Sequence, residues 1–238
     1  MLNESRSPKR THYFNLTRQL ADHDLPTEYI DGKRHYITPE GNRYPSVTTV
    51  LSTMNADAIA AWKAHVGEEE AKRISTQASK RGTAVHLIAE RYLRNEESYA
   101  RDAMPVNIAT FNQIKTYLDK WCDEVYANEI ALYSDELKTA GRCDMVGRIH
   151  GIRTIGDFKT AKKFKKEEHI LNYFYQCTAY ALMLYEREKI WCPQICVMIA
   201  TDEDGLQPII KQTSPFVEQV RNFFDNYHNP VTLLDHVD

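Results

Sequence analysis

Residues 141–160 read GRCDMVGRIHGIRTIGDFKT. Two runs of strand-forming residues, 141–149 and 152–160, flank His150-Gly151, a link short enough for a β-hairpin. Met145, Ile149, Ile152, Ile155 and Phe158 supply apolar material. Side chains alternate faces along a strand, so Asp157 and Lys159 share one face while Gly156 and Phe158 take the other. The hairpin brings Asp144 near Asp157. Two carboxylates and an amine on adjoining strands suit a metal-dependent hydrolase, but they read equally well as surface ion pairs involving Arg142 and Lys159. The rest of the chain has to decide.

Working outward, the next residues carry a lysine run: Lys159, Lys162, Lys163, Lys165 and Lys166 make five lysines in eight residues. Such a run is either a solvated surface or a set of phosphate contacts. The periodicity predicts a helix over 169–187, on which Gln176 and Tyr180 stand four apart. It also predicts a buried strand over 194–201, a second strand over 206–212 whose Pro208 suits a sheet edge, and a closing helix over 214–228. Upstream, 67–95 reads as a long helix in which Gly82, His86 and Glu90 recur every four residues and so share a face. Gly82 leaves room there for another backbone or a ligand. His86 beside the apolar stripe of Val85, Ile88, Ala89 and Tyr92 is either a core residue hydrogen-bonded by Glu90 or a ligand. A second amphipathic helix is expected over 106–126, followed by a strand over 128–133 that carries Glu129 as a candidate acid.

Before the long helix, Asp31-Gly32 sits between two short runs of strand-formers and signals a tight hairpin. YPSVTTVL at 44–51 is a strand or a strand leading into a helix, and a short helix follows to residue 64. Residues 1–25 form a polar arm whose one apolar knot is HYFNL at 12–16. The order of elements gives a mixed α/β arrangement around a central sheet. Residues 1–66 are expected to be an N-terminal arm, hairpin and short helix packed on a core of 67–238, within one compact domain.

Composition is that of an ordinary globular protein, with 42% hydrophobic and 26% charged residues in 238. A net charge of −3 means that any affinity for a polyanion has to come from local clusters such as the lysine run. Five cysteines, an odd number without paired spacing, favour free thiols in a reducing compartment, and Cys192 and Cys196 are a poor match to a zinc ribbon. No apolar run approaches the length needed to span a bilayer, so no membrane partner is expected. Arg6, Lys9, Arg10 and Arg18 against Glu4 leave an organellar transit peptide open.

Together, RGTAVHLIAE (81–90), AGRCDMVGRI (140–149), IGDFKT (155–160) and YFYQCTAY (173–180) resemble the motifs of the PD-(D/E)XK nuclease superfamily and its RecB-like exonuclease branch. YPSVTTVL narrows the likeness to the mitochondrial genome maintenance exonucleases and their phage and bacterial relatives. The motifs run in order over residues 44–180.

The resemblance implies a restriction-endonuclease-like core with an N-terminal hairpin and helical elaboration. It implies His86, Asp144, Asp157 and the carbonyl of Phe158 as ligands of Mg²⁺ or Mn²⁺, and Lys159 as the residue that orients or deprotonates the attacking water. Gln176 and Tyr180 would help place the phosphate backbone or the lysine, and Glu90 would hold a second metal or the histidine. Lys162, Lys163, Lys165 and Lys166 would bind phosphates. Gly156 stands where the superfamily name has proline, and with no cysteine before residue 122 no iron-sulfur cluster is expected. The implied activity is a DNA exonuclease on single-stranded or flap DNA, working with replication, repair or recombination proteins. Its expected compartment is the cytoplasm of a bacterium or phage-infected cell, or alternatively the mitochondrial matrix. A structure-specific endonuclease and an inactive nucleic-acid-binding protein remain as alternatives, and oligomeric state, polarity and DNA against RNA stay open.

Overall fold

The computed structural model describes residues 10, 12–16 and 19–230. Arg6, Lys9 and Arg18 of the basic N-terminal pattern lie outside them. Five strands form the main sheet in the order β4-β5-β6-β7-β8: β4 Cys122–Ser134, β5 Thr139–Ile149, β6 Ile152–Ala161, β7 Gln194–Thr201 and β8 Leu206–Gln212. All neighbours are antiparallel except β6 and β7, which are parallel. Parallel neighbours need a crossover, and α5 (Leu171–Glu188) supplies it. The chain is thus a mixed α/β fold with a five-stranded mixed sheet flanked by helices. Pro208 does lie on an edge strand, β8.

The two sheet faces bury different helices. Phe158, Met145, Ile149, Cys196 and Met198 pack under α3 (Glu68–Leu93) and α4 (Pro105–Trp121), against Val85, Ile88, Ala89, Tyr92, Phe111 and Ile114. Val146, Ile155, Val197 and Ile199 pack under α5, backed by α6 (Val217–His228) through Val220 and Phe224. A smaller sheet, β1 (Thr27–Ile30), β2 (Lys33–Ile37) and β3 (Arg43–Pro45), turns at Asp31-Gly32 with φ of +50° and +72°, the conformation a two-residue hairpin requires. It is seated on the main sheet by Tyr36 against Ala131 and Ala140 and by Thr139 Oγ1 donating to the Pro45 carbonyl at 2.8 Å. Ser46 caps α1 (Val47–Leu51), whose Val47, Val50 and Leu51 enter the α5 core, and α2 (Ala56–Val66) leads into α3.

Two expectations change. The helix anticipated to residue 126 stops at Trp121, and β4 begins at Cys122, earlier than 128. Pairing along nearly all of β5, from Cys122↔Ile149 to Ser134↔Thr139, outweighs a helical pattern that Val125 and Tyr126 favour only weakly. The stretch 12–16 of the polar arm is packed on the body. Phe14 is buried beside Tyr92, and Asn15 pairs with the start of β4. No helix among the described residues is long and apolar enough to cross a membrane.

Candidate active site

A fork in the sheet makes the site. The β5–β6 ladder, which starts at Ile149↔Ile152, ends at Met145↔Gly156. Beyond it β5 stays paired with β4 as far as Thr139, while β6 stays paired with β7 to Ala161↔Thr201. Asp144 and Asp157 are the first residues past the split. The freed backbone groups there need partners: the Phe158 N–H donates to Asp144 Oδ2 at 2.8 Å, and the Phe158 carbonyl accepts from His86 Nε2 at 2.8 Å. His86 is carried in by α3 at the margin of its buried half, just after Val85 and before Ile88 and Ala89. That hydrogen bond sets the imidazole edge, turning Nδ1 toward Asp144 Oδ1 at 3.5 Å and Glu129 Oε1 at 3.8 Å.

His86, Glu129 and Asp144 each place a ligand atom within 4.8 Å of the others, so the three could hold one metal ion. Glu129 lies opposite Asp144, between the pairs Asn128↔Met145 and Ile130↔Cys143, and its φ is +50°. A left-handed glutamate inside a strand is strained and persists only where its surroundings hold it. Arg142 does so, donating to the Glu129 carbonyl. The strain is localised at the one acid that joins His86 and Asp144.

Asp157 and Lys159 point to the α5 face. Lys159 Nζ is 2.6 Å from each Asp157 carboxylate oxygen, in hydrogen-bond geometry with Oδ1, and Oδ2 is buried without a hydrogen bond among the described residues. The Lys159 ammonium also sits 5.2 Å over the ring of Tyr173.

The electrostatics follow from burial of so much charge. Burial pushes the Asp144 carboxyl upward, against the pull of His86 and Lys159. Burial likewise raises Asp157 to about 6, opposed by Lys159. Burial works against a charged His86, but Asp144 and Glu129 outweigh it and hold the imidazole up at about 9. For Lys159 too the cost of burial is exceeded, by Asp157 and then Asp144, so its pKa rises and the ammonium stays charged.

A divalent metal fits this donor set. The carboxylates of Glu129 and Asp144 with the one imidazole of His86 are ligands for Mg²⁺ or Mn²⁺.

The other sequence-derived residues separate into those near the fork and those turned away. Glu90 is directed to Arg94 at 2.9 Å, one helical turn on, and takes no part in the cluster; the acid found there is Glu129. The Phe158 carbonyl, expected on the metal, has His86 as its partner. Tyr180 is 3% exposed, and a Cβ built on Gly141 would meet its hydroxyl at 2.7 Å. It is a packing residue beneath β5, too enclosed to touch nucleic acid. Gln176 is buried on the same helix, and its side chain makes no hydrogen bond among the described residues.

The ammonium groups of Lys162, Lys163 and Lys166 are exposed, but Glu203 faces Lys162 at 3.6 Å and Lys163 at 3.1 Å, and Glu168 faces Lys166 at 3.8 Å. Lys165 is anchored by its backbone N–H on Gln207. The acidic β7–β8 turn thus offsets a run that looks uncompensated in sequence. All five cysteines are buried free thiols. Sequence reading undervalued Glu129, whose signal was only an acid on the strand before the hairpin, and took Tyr173, with Phe174 and Tyr175, for a base-stacking or core aromatic rather than a neighbour of Lys159.

No family model and no curated protein matches the chain. Among solved structures, a protein of Eubacterium rectale provisionally named an exonuclease aligns over 65% of this chain and 72% of its own, at 12% identity and a TM-score of 0.41. The crystal structure of SSO0001 aligns over 63% and 75%, at 11% identity and a TM-score of 0.34. At that distance neither likeness bears on chemistry, and the functional reading rests on the site.

Proposed function

We propose that the chain is a divalent-metal-dependent nuclease of the RecB-like kind, hydrolysing phosphodiester bonds of single-stranded or flap DNA from an end, in replication, repair or recombination. The observation that carries this reading is the ion pair of buried Asp157 with half-buried Lys159, set beside the His86, Glu129 and Asp144 cluster at the sheet fork. His86, Glu129, Asp144 and Asp157 would hold Mg²⁺ or Mn²⁺, which when bound neutralises phosphate charge and makes bound water more acidic.

The chain's own residues do the rest. Hydrolysis joins a water oxygen to phosphorus and breaks the bond to the leaving sugar oxygen, which gains the proton that the water gives up. Lys159, held charged by two carboxylates, acts as a donor: it orients the water and stabilises charge gathering on the phosphate, and it does not take a proton while both carboxylates are unshared. Tyr173 limits where that ammonium can swing. Asp144 fixes the Phe158 backbone, and through it the stretch of β6 between Asp157 and Lys159.

Replacing Lys159 or Asp157 by Ala lowers DNA degradation with Mg²⁺ or Mn²⁺ by about 100-fold or more, the usual weight of a positioned acid-base or electrostatic group. Undiminished cleavage by both variants would sink the assignment. Circular single-stranded DNA separates the exonuclease from an endonuclease on the same fold, since only the latter opens it.

A further inference from the structure

A groove lies on the far side of α3 from His86. It holds about 1030 Å³ and runs between α3, the 101–104 loop and the first turn of α4, reaching Lys162 at the end of β6. At about 100° per residue, positions 77, 84, 88 and 91 of α3 face away from His86, so the groove and the catalytic fork do not share a wall. In the first half of α3, up to Lys80, only Ala71 is buried, so the helix overhangs the body.

An overhanging helix that met only water would be polar all round. This one is not. Four of the thirteen large apolar side chains exposed among the described residues lie in this groove: Ile74 at 37%, Leu87 at 43%, Met104 at 64% and Val106 at 57%. Around them stand six lysines or arginines against two aspartates, in a chain whose net charge is −3. Arg81 is tied to Asp202, Arg73 to Glu70, Arg101 to Glu96 and Lys162 to Glu203. Lys80 and Arg91 have no carboxylate partner among the described residues. Exposed pairs of this kind contribute about 0–1 kcal/mol each, so an incoming carboxylate can exchange into them at little cost.

From this we infer that the groove is a docking site for an acidic amphipathic helix of a partner protein, its aliphatic stripe seated on Ile74, Leu87, Met104 and Val106 and its carboxylates on the basic rim. A single-stranded nucleic acid is the rival occupant, and the lining argues against it. Such tracts pair their cations with aromatic platforms for the bases, and no residue lining this groove is aromatic. Aliphatic anchors with a flexible methionine are what a helix-in-groove contact uses. The inference does not rest on the nuclease reading, because it concerns a different face and a binding event only.

The test follows methyl NMR signals of Ile74, Leu87, Met104 and Val106 in the full chain. The probe is a synthetic helical peptide of about 14 residues, long enough for three to four turns, with a leucine stripe flanked by glutamates. Saturable shifts at those methyls are expected, with affinity weakened about tenfold or more both by Met104→Glu with Val106→Glu and by Lys80→Glu with Arg91→Glu. A peptide with lysines for the glutamates should not bind. Met104, Val106 and Lys80 are exposed, while half-buried Arg91 also donates to the Arg101 carbonyl at 3.0 Å, so an unchanged melting temperature is required of each double variant before loss of binding is read as loss of the site.

Absence of shifts, equal binding by the lysine peptide, or indifference to both double variants would overturn the inference. Shifts of the same methyls by an oligothymidylate of about twenty nucleotides, abolished by the charge reversals, would give the groove to nucleic acid instead. A concentration-dependent dimer lost on Met104→Glu with Val106→Glu would give it to a second copy of the chain.

Discussion

Glu129 bends the backbone into a conformation that glutamate avoids and delivers a carboxylate to His86 and Asp144. Glu90, one turn beyond His86 on the same helix face, spends its charge on Arg94. The two acids should therefore respond differently to the same isosteric change. Glu129→Gln is expected to weaken Mn²⁺ binding by about ten- to a hundredfold, whereas Glu90→Gln leaves it within about twofold, as titration calorimetry would show. Equal effects would remove Glu129 from the ligand set.

Asp144→Asn separates binding from folding at the same place. It removes a carboxyl that burial disfavours while keeping an oxygen for the Phe158 N–H. The variant should be at least as stable as the parent toward urea without metal and should not gain stability when Mn²⁺ is added. A large loss of metal-free stability would mean that the carboxylate charge itself holds the fork together.

At the level of elements, α5 presses Tyr180 against β5 where Gly141 leaves a gap. Gly141→Ala should cost about 1–3 kcal/mol by urea unfolding, because a Cβ 2.7 Å from the phenol oxygen forces the strand or the ring to move. Tyr180→Phe removes that oxygen and should restore much of the loss, which a role in holding nucleic acid would not predict.

Gly82 on α3 is the opposite case. A Cβ there meets nothing within 4 Å, and the position shares the face of His86 one turn earlier. Gly82→Ala should raise stability, by up to about 1 kcal/mol of helix propensity. If DNA crosses that open face as the nuclease reading requires, Gly82→Phe should fold normally and cleave slowly. Unimpaired cleavage by the phenylalanine variant would place the strand elsewhere.

On the scale of the whole molecule, the buried charge of the fork is the link between metal and fold. Three acidic or imidazole ligands within 4.8 Å of one another are a native-state feature that the unfolded chain cannot reproduce. A metal at about 100 times its dissociation constant should stabilise the protein by about 2.7 kcal/mol. For a chain of this size that corresponds to a melting temperature higher by about 5–10 °C, reversed by chelator. A melting curve indifferent to both Mg²⁺ and Mn²⁺ would take the metal out of the proposed function.

Much of the architecture was legible because it rests on local rules. Runs of strand-forming residues placed β5 and β6, and a continuous apolar run placed β7. His150-Gly151 and Asp31-Gly32 placed two hairpins, and the 3.6-residue repeat placed α3 and α5. Register then put Asp144 beside Asp157 with no help from the rest of the fold, since a two-residue turn leaves little choice in pairing.

Tertiary structure alone decided where α4 ends, because strand pairing with β5 outweighs the propensity of residues 122–126. It decided between Glu129 and Glu90, because a side chain's direction depends on a left-handed backbone in one case and a neighbouring arginine in the other. It also decided how much positive charge the lysine run keeps, because Glu203 arrives from forty residues downstream. Spacing determines which residues can share a face; only the packed sheet and helices determine what that face meets.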